Sequence, residues 1–296
     1  MAKKNRFVSS IIIFFKGLLM GSADIVPGVS GGTIALITGI YTRLVDGISN
    51  FFKVLNFESL KAFATFDKKK IKYIIRSIDF ALFIPLFLGI ATAFLSLANL
   101  IHYLMEEATV KTYAFFFGLI LGSAVFLYKK LKHIDLNTIL FAIIGFLISF
   151  LVTGFTGVSA NHSFPVIFGS GAIAITAMIL PGISGSFMLV LLNQYEYVIG
   201  AIKDLNIGII FVFALGAFFG LLAFTRLLKY LLHSKENLTM GFLIGLMLGS
   251  LRLQYTIISE NQMTTPVFIW MIVVGIIGFS IVFLLDLFGK RYEEKT

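Results

Sequence analysis

The chain carries one short polar phrase twice, and each copy lies inside a long apolar run. The first copy begins at Pro27 and reads PGVSG, and the second begins at Pro181 and reads PGISG. Proline and glycine interrupt helices, whereas serine hydroxyls and free backbone N–H groups bind anions. A helix breaker with polar atoms, placed twice at membrane depth, indicates a solute site built from the tips of two broken helices.

Each tip carries the polar groups of an anion-binding site. In the first, Ser30 is a favourable N-cap for the outgoing helix and Thr33 lies one turn further on, so hydroxyls and the positive end of the helix dipole lie together. Each serine could instead only cap its own helix, although capping and anion binding can coexist. The residues expected to bind a phosphate or carboxylate at the two tips are Gly28, Ser30, Gly31, Gly32, Thr33, Gly182, Ser184, Gly185 and Ser186.

Several charged residues lie within the apolar segments, where a charge at the bilayer centre costs ~3 kcal/mol on insertion scales. Arg43 and Arg252 are expected to contact the anion, although each could snorkel to an interface instead. Asp24 lies just before the first tip and is too short to snorkel, so it either forms a salt bridge that positions the hairpin or carries a coupling proton. Lys16 and Glu196 are the other charges expected in a coupling or structural role.

The composition is that of a membrane protein. Of the 296 residues, 58% are hydrophobic and 13% charged, and the mean hydropathy is +0.97. Such a chain is polytopic and has no separate soluble domain, so residues 1–296 are expected to form one membrane domain. Neither a metal site nor a cofactor is expected, because the chain has no cysteine and its histidines lack metal-ligand spacing. The net charge of +9 forms no basic stripe, which argues against nucleic acid as a partner.

The two halves of the chain repeat one another. Around the tips, residues match at an offset of 154 residues, for example Tyr41 with Tyr195. Further along, GLILGS at 118–123 matches GLMLGS at 245–250, at an offset of 127 residues. The difference of 27 residues locates an insertion in the first half, and the chain is therefore predicted to be a duplicated unit.

Each unit contains five apolar segments, most of them long enough to cross the ~30 Å of bilayer hydrocarbon. Five is odd, so the second unit enters the membrane from the opposite side and the repeats are predicted to be inverted, as in many secondary transporters. The segments are roughly 8–26, 29–48, 80–103, 111–128 and 138–154 in the first half, and 164–180, 183–202, 207–231, 238–255 and 266–288 in the second.

The predicted fold is all-α and integral to the membrane. It has two inverted five-segment repeats, each opening with a re-entrant helical hairpin that is followed by three transmembrane helices. Repeat one covers about 8–154, with a cytoplasmic insertion at 53–79, and repeat two covers about 164–288. The alternative is that the first two segments of each unit cross fully, as a helix-turn-helix with tight glycine packing.

The charged loops predict the orientation. If the N-terminus is cytoplasmic, the loops rich in lysine and arginine all lie on the cytoplasmic side, which is the positive-inside pattern. Both termini are therefore expected in the cytoplasm. The basic regions concerned are 53–79, 129–132, 229–235 and 290–295.

The sequence around each tip resembles the signatures of the bacterial polyprenyl-phosphate transporter family. The first, at 21–33, reads GSADIVPGVSGGT, and the second, at 178–186, reads MILPGISGS. The resemblance covers about 11–287 and implies a flippase of the bacterial cell membrane. Such a protein returns undecaprenyl phosphate from the outer to the cytoplasmic leaflet, for the synthesis of cell-envelope polymers. The implied partners are the polyprenyl phosphate lipid and the bilayer, and a coupling proton or cation is the further partner that Asp24 suggests.

Two other functions compete with transport of a lipid phosphate. Undecaprenyl-pyrophosphate phosphatases also have inverted repeats, re-entrant helices and a PGxS phrase, but their phrase continues with Arg-Ser. This chain has Gly31-Gly32 and Gly185-Ser186 at those positions. Because arginine commonly stabilises charge on a transferring phosphoryl group, the two replacements favour moving a phosphate over cleaving one, and no enzyme activity is expected. An ion-coupled carrier of a small soluble anion is the third alternative.

Overall fold

The described part of the chain is helical and contains no strand. Much of the insertion expected at 53–79 lies outside the described residues. The computed structural model describes residues 2–54, 65, 67, 74–155, 157, 160–261 and 264–293, with side chains between 8 and 285.

The helices follow one another in two similar series. Those in the first half are α1 Ala2–Ile25, α2 Gly31–Ile37, α3 Tyr41–Val54, α4 Phe80–Glu107, α5 Thr109–Lys130 and α6 Leu136–Val152. Those in the second half are α7 Phe164–Ile179, α8 Gly185–Leu191, α9 Tyr195–Lys203, α10 Ile207–Ser234, α11 Glu236–Ser259 and α12 Thr265–Glu293.

Six of the described helices are long and apolar enough to cross a membrane: α1, α4, α5, α10, α11 and α12. Helices α6 and α7 are also apolar but have only 17 and 16 residues. An all-helical chain with several such helices confirms the prediction of an all-α, multi-pass membrane protein.

Helices at matching positions begin and end in the same way. Helix α4 is capped by Asp79 and α10 by Asn206, and each side chain accepts a hydrogen bond from the backbone N–H three residues later. Before the short helices α2 and α8, Gly28 and Gly182 have φ values of 78° and 84°. This left-handed conformation is favourable only for glycine, so the glycine of each PGxSG phrase makes the turn.

The second apolar segment of each half is not one helix. Residues 29–48 contain α2 and the start of α3, and residues 183–202 contain α8 and most of α9. The breaks lie at Gly39, with φ of 75°, and at Asn193, with φ of 54°. A left-handed residue ends a helix, because the backbone can no longer continue its hydrogen-bond ladder.

Close glycine contacts hold the long helices together. Helix α1 packs along α4, and α7 packs along α10. A Cβ atom added at Gly89 of α4 would overlap the carbonyl oxygen of Phe14, and one added at Gly216 of α10 would overlap that of Phe168. Helices α5 and α11, which carry the GLxLGS phrases, are the most buried of the six long helices. The glycines of the first phrase lie against α12 and those of the second against α6, so these phrases are sites of helix contact, as expected for small residues at helical spacing.

The two halves differ in how their third helices pack. Helix α3 packs against α10, and the rings of Phe52 and Phe218 meet edge to face with centroids 5.1 Å apart. Helix α9 lies against α10 as well, and within the described residues it makes no comparable contact with α4. A space is left between α4 and the hairpin formed by α7, α8 and α9.

Candidate functional site

The structure brings the two PGxSG tips together. The hydroxyl of Ser30 donates a hydrogen bond to the carbonyl oxygen of Leu180, at 3.0 Å. In return, the backbone N–H of Gly182 donates to Oγ1 of Thr33, at 3.2 Å. Because these bonds join positions about 150 residues apart, the second tip is fixed against the start of the short helix α2.

The polar backbone atoms of the first tip are already hydrogen-bonded to other groups of the protein. The carboxylate of Asp24 accepts a hydrogen bond from the N–H of Gly31 at 2.6 Å, and Oγ of Ser30 accepts one from the N–H of Gly32 at 3.1 Å. The side-chain amide of Gln254 donates to the carbonyl oxygen of Gly28 at 2.9 Å. The Asp24 carboxylate therefore lies where the sequence predicted a bound anion.

Two of the intramembrane charges lie at opposite ends of α2. Asp24 lies at its N-terminus, and the ammonium of Lys16 donates a hydrogen bond at 2.6 Å to the carbonyl oxygen of Thr38, the residue that caps its C-terminus. An anion at the N-terminus and a cation at the C-terminus both complement the helix dipole. This arrangement gives both charges polar partners within apolar surroundings and holds the first hairpin in place.

The second tip faces a cavity of about 640 Å³. The hydroxyls of Ser184 and Ser186 line it and lie 2.9 Å apart, and Tyr195 lines it from the start of α9. Asp24 and Pro27 extend into its wall from the first tip, so both tips contribute. The rest of the wall is mainly apolar and includes Phe94, Ala98, Phe213 and Ala217. Hydroxyls beside an apolar wall suit a ligand with a polar head and an apolar chain.

The two arginines expected at the site have other partners. Arg43 makes a bidentate ion pair with Asp79, at 2.8 and 3.0 Å, and is exposed. Arg252 donates to the carbonyl oxygen of Phe150 at 2.8 Å, and its guanidinium lies 4.3 Å from the centre of that residue's ring. Neither lines the described cavity, and Glu196 is exposed on α9.

Sequence reasoning missed Gln254, which joins α11 to the first tip. Its side chain is fully buried, and its oxygen Oε1 has no hydrogen-bond partner within the described part of the chain. An amide in an apolar helix is the signal that could have singled it out, because such groups are costly unless they are hydrogen-bonded. The matched tyrosines also differ: Tyr41 is buried, whereas Tyr195 is 40% exposed at the cavity.

Comparison with known proteins places this site in a family. Residues 20–265 match a family model described as undecaprenyl phosphate translocase-like. The chain belongs to this family. The match to the undecaprenyl phosphate translocase-like family includes both tips and every described residue of the cavity wall. The resemblance inferred from the two tip phrases is therefore confirmed.

Two relatives of this chain carry the same name, polyprenyl-phosphate transporter. The protein from Vibrio cholerae serotype O1 is 40% identical over 238 residues, which are 80% of this chain and 75% of the relative. The protein from Staphylococcus aureus is 31% identical over 290 residues, which are 91% of this chain and 94% of the relative. No solved structure gives a significant match to this chain.

Proposed function

We propose that the protein transports polyprenyl phosphate across the bacterial cell membrane, and that it returns undecaprenyl phosphate from the outer to the cytoplasmic leaflet for cell-envelope synthesis. The observation that carries this proposal is the cavity in which the hydroxyls of Ser184 and Ser186 lie beside an apolar wall, next to Asp24 and Pro27 of the other tip. Membership of the undecaprenyl phosphate translocase-like family and the names of the two relatives support it.

In this proposal, the phosphate binds at the second tip and the prenyl chain follows the apolar wall. The two serine hydroxyls donate to phosphate oxygens, since hydrogen bonds to charged acceptors are the strong ones. Gly185 adds no side chain beside the headgroup, while Phe94 and Ala98 of α4 contact the chain where it enters from the lipid. Gly182 lies outside the described cavity wall and packs against α11. No basic side chain lines the described cavity, so in this proposal hydrogen bonds, and not an ion pair, hold the phosphate.

The proposed coupling ion is a proton on Asp24. A phosphate bound beside an ionised Asp24 would place two negative charges in one cavity, and at ~4 Å two unit charges repel by about 4 kcal/mol at an effective dielectric constant near 20. Protonation of Asp24 removes this repulsion. Gly31, Gly32 and Thr33 form the first tip, and the backbone N–H of Gly31 donates a hydrogen bond to the Asp24 carboxylate.

The proposed architecture is a pair of inverted repeats, each opening with a re-entrant hairpin. The bounds of α2 and α8 differ by 154 residues and those of α4 and α10 by 127, the two offsets found in the sequence, which supports the duplication. Helices α2 and α8 have seven residues each, about 10 Å at 1.5 Å per residue, so neither is long enough to cross the bilayer. Repeat one covers about 8–154 and repeat two about 164–288, with both termini in the cytoplasm.

A leaflet assay in proteoliposomes tests the function. Purified protein is reconstituted with undecaprenyl phosphate, and the fraction of the lipid phosphate accessible to an impermeant reagent is followed with time. We expect faster exchange between leaflets than in protein-free vesicles, with no release of inorganic phosphate. Release of phosphate would instead favour the phosphatase alternative, and uptake of free phosphate without lipid exchange would favour a small-anion carrier.

A further inference from the structure

A contact network closes one side of the molecule. The ammonium of Lys229, near the end of α10, lies 3.0 Å from Oδ1 of Asp46 and donates to Oδ1 of Asn50 at 3.1 Å, both on α3. The ring of His233 lies 3.4 Å from the other oxygen of Asp46. Together with the Phe52–Phe218 ring contact, these bonds join α3 to α10 on the side predicted to be cytoplasmic. We call this set the α3–α10 latch.

The sequence offsets locate the counterpart of this latch in the other half. Adding 154 to Asn50 gives Asp204 at the end of α9, and subtracting 127 from Lys229 gives His102 near the end of α4. An acid therefore matches the amide of the α3–α10 latch, and a histidine matches its lysine. The two residues can form an ion pair when the histidine is protonated.

In the structure, this second pair is separated. His102 is 72% exposed and lies 3.1 Å from Glu106 of its own helix, and Asp204 is exposed. Helix α9 makes no comparable contact with α4 within the described residues, and the cavity of the second tip lies between α4 and the α7–α9 hairpin. One side is therefore closed by α3 on α10, while the matching closure on the other side is not made.

We propose that α9 docks on α4 in a second conformation, in which Asp204 contacts His102, and that this closure alternates with the α3–α10 latch. The proposal rests on the proposed transport function and inverted repeats. In this proposal, the structure represents the state in which the cavity is open toward the outer leaflet and the α3–α10 latch is closed. When the latch opens and α9 closes, the cavity becomes accessible from the cytoplasmic leaflet. A ligand held between the tips changes sides without a movement of the tips themselves.

The residues around each closure make the two states unequal. At the same offsets, Asp46 is matched by Gly200, which has no carboxylate. Phe52 is matched by Asn206 and Phe218 by Ala91, and neither of these has an aromatic ring. None of these counterparts can form the matching bond or ring contact. Because the α3–α10 latch has more interactions than the closure of α9 on α4 can make, the outward-open state is the resting state.

Paired cysteines test the proposal, since the chain has none of its own. In one variant, Asn50→Cys is combined with Lys229→Cys, and in the other, His102→Cys is combined with Asp204→Cys. A short bifunctional methanethiosulfonate, which joins two cysteines through reducible disulfides, is added to the reconstituted full chain. We expect the first pair to cross-link without substrate and the second to cross-link several-fold faster when undecaprenyl phosphate is present. Each cross-link stops lipid exchange, and reduction restores it.

Matched control pairs use the neighbouring tyrosines, which lie about 100° further round each helix than the residues of the closures. Tyr103 and Tyr230 are matched by the same offset, lie one residue beyond His102 and Lys229, and are 59% and 60% exposed. Tyr103→Cys with Asp204→Cys, and Tyr230→Cys with Asn50→Cys, should not cross-link. A third variant, Asp46→Asn, weakens the latch and should speed cross-linking of the 102/204 pair several-fold even without substrate.

Failure of this proposal differs from failure of the proposed function. If the protein exchanges lipid phosphate but the 102/204 pair cross-links no faster than its tyrosine control, with and without Asp46→Asn, the second closure does not exist. If that pair cross-links faster in Asp46→Asn than in the wild type while no lipid phosphate is exchanged, the conformational change stands and the proposed transport function is wrong. Cross-linking of the 50/229 pair shows in either case that the protein has its folded structure.

Discussion

Two serine hydroxyls of the second tip are the donors that we expect to hold the phosphate. Hydrogen bonds to charged groups contribute about 1.5–3 kcal/mol each, and 1.4 kcal/mol corresponds to a factor of ten. The double variant Ser184→Ala with Ser186→Ala should therefore bind a short-chain prenyl phosphate roughly a hundredfold more weakly, or worse. Binding to the purified protein in detergent measures the change.

Ser170→Ala is the matched control for the serine variant. Its hydroxyl lies on α7, is buried, and donates to the carbonyl oxygen of Val166 at 2.7 Å, outside the described cavity wall. Its loss should leave prenyl phosphate binding unchanged. Equal affinity of the double serine variant and the wild type would remove the second tip from the binding site.

Asp24 allows a test of proton coupling with little change in structure. In Asp24→Asn, the amide oxygen can still accept the hydrogen bond from Gly31, but the side chain can no longer take up a proton. If Asp24 must be protonated when the phosphate binds, wild-type exchange should be faster at lower pH, and we expect the variant to lose this dependence. Exchange rates in proteoliposomes across a series of pH values measure the effect.

Asp135→Asn controls for the removal of a carboxylate elsewhere. Asp135 caps α6 outside the apolar segments, and hydrogen bonds from the Thr138 hydroxyl and backbone N–H lower the pKa of its carboxyl. Because this group stays ionised through the neutral range, its loss should leave the pH profile unchanged. If Asp24→Asn keeps the wild-type profile, Asp24 only positions the hairpin.

At the residue scale, the sequence was informative where polar or helix-breaking residues stand in an apolar run. The serines and glycines of the tips were found in this way. The partners of the charges were not, because they depend on distances across the fold: Arg43 meets Asp79, which is 36 positions away, at the end of the predicted insertion. The position of Lys16 and Asp24 at the two ends of α2 depends on the short length of that helix, which hydropathy does not reveal.

At the element scale, glycines set how closely the long helices approach. Gly89→Ala or Gly216→Ala would force a Cβ atom into a facing carbonyl group, and overpacking costs about 1–3 kcal/mol. Each substitution should therefore lower the melting temperature in detergent by several degrees, and both should do so similarly, because their surroundings match. Thermal unfolding followed by circular dichroism or fluorescence measures this.

Gly169→Ala on α7 provides the control for these packing variants. No atom lies within 4 Å of the Cβ that it would add, so the melting temperature should stay the same or rise slightly. A loss of stability in Gly169→Ala as large as in Gly89→Ala would show that the close contact between facing helices does not determine the effect.

Hydropathy and the two offsets predicted most of the helices. The segments expected at 80–103 and 207–231 correspond to α4 and α10, which extend three or four residues further. The division of each hairpin arm was missed, because Gly39 and Asn193 are single residues in otherwise apolar runs. The difference in packing between α3 and α9 also could not be predicted, because matching sequences predict matching contacts. They do not indicate that one half makes the contact and the other does not.

At the scale of the whole molecule, the predicted orientation rests on parity and on the distribution of charge. Five segments per repeat would place the loop after α4 and the loop after α11 on the same outer side, and the basic loop after α5 on the cytoplasmic side. The ion pair of Lys132 with Glu236, at 2.7 Å, joins the loop after α5 to the start of α11, both on the side predicted to be cytoplasmic. Single cysteines can report this arrangement directly.

We expect a membrane-impermeant maleimide to label Glu106→Cys and Glu260→Cys in intact cells, and Lys132→Cys only after permeabilisation. All three positions are exposed in the structure, so their access to reagent depends on the side of the membrane. Labelling of Lys132→Cys in intact cells, with protection of the other two, would reverse the orientation and make the open cavity face the cytoplasm. Labelling of Glu106→Cys and Glu260→Cys from opposite sides would give the two repeats the same orientation, and the closure of α9 on α4 would then lose its basis in symmetry.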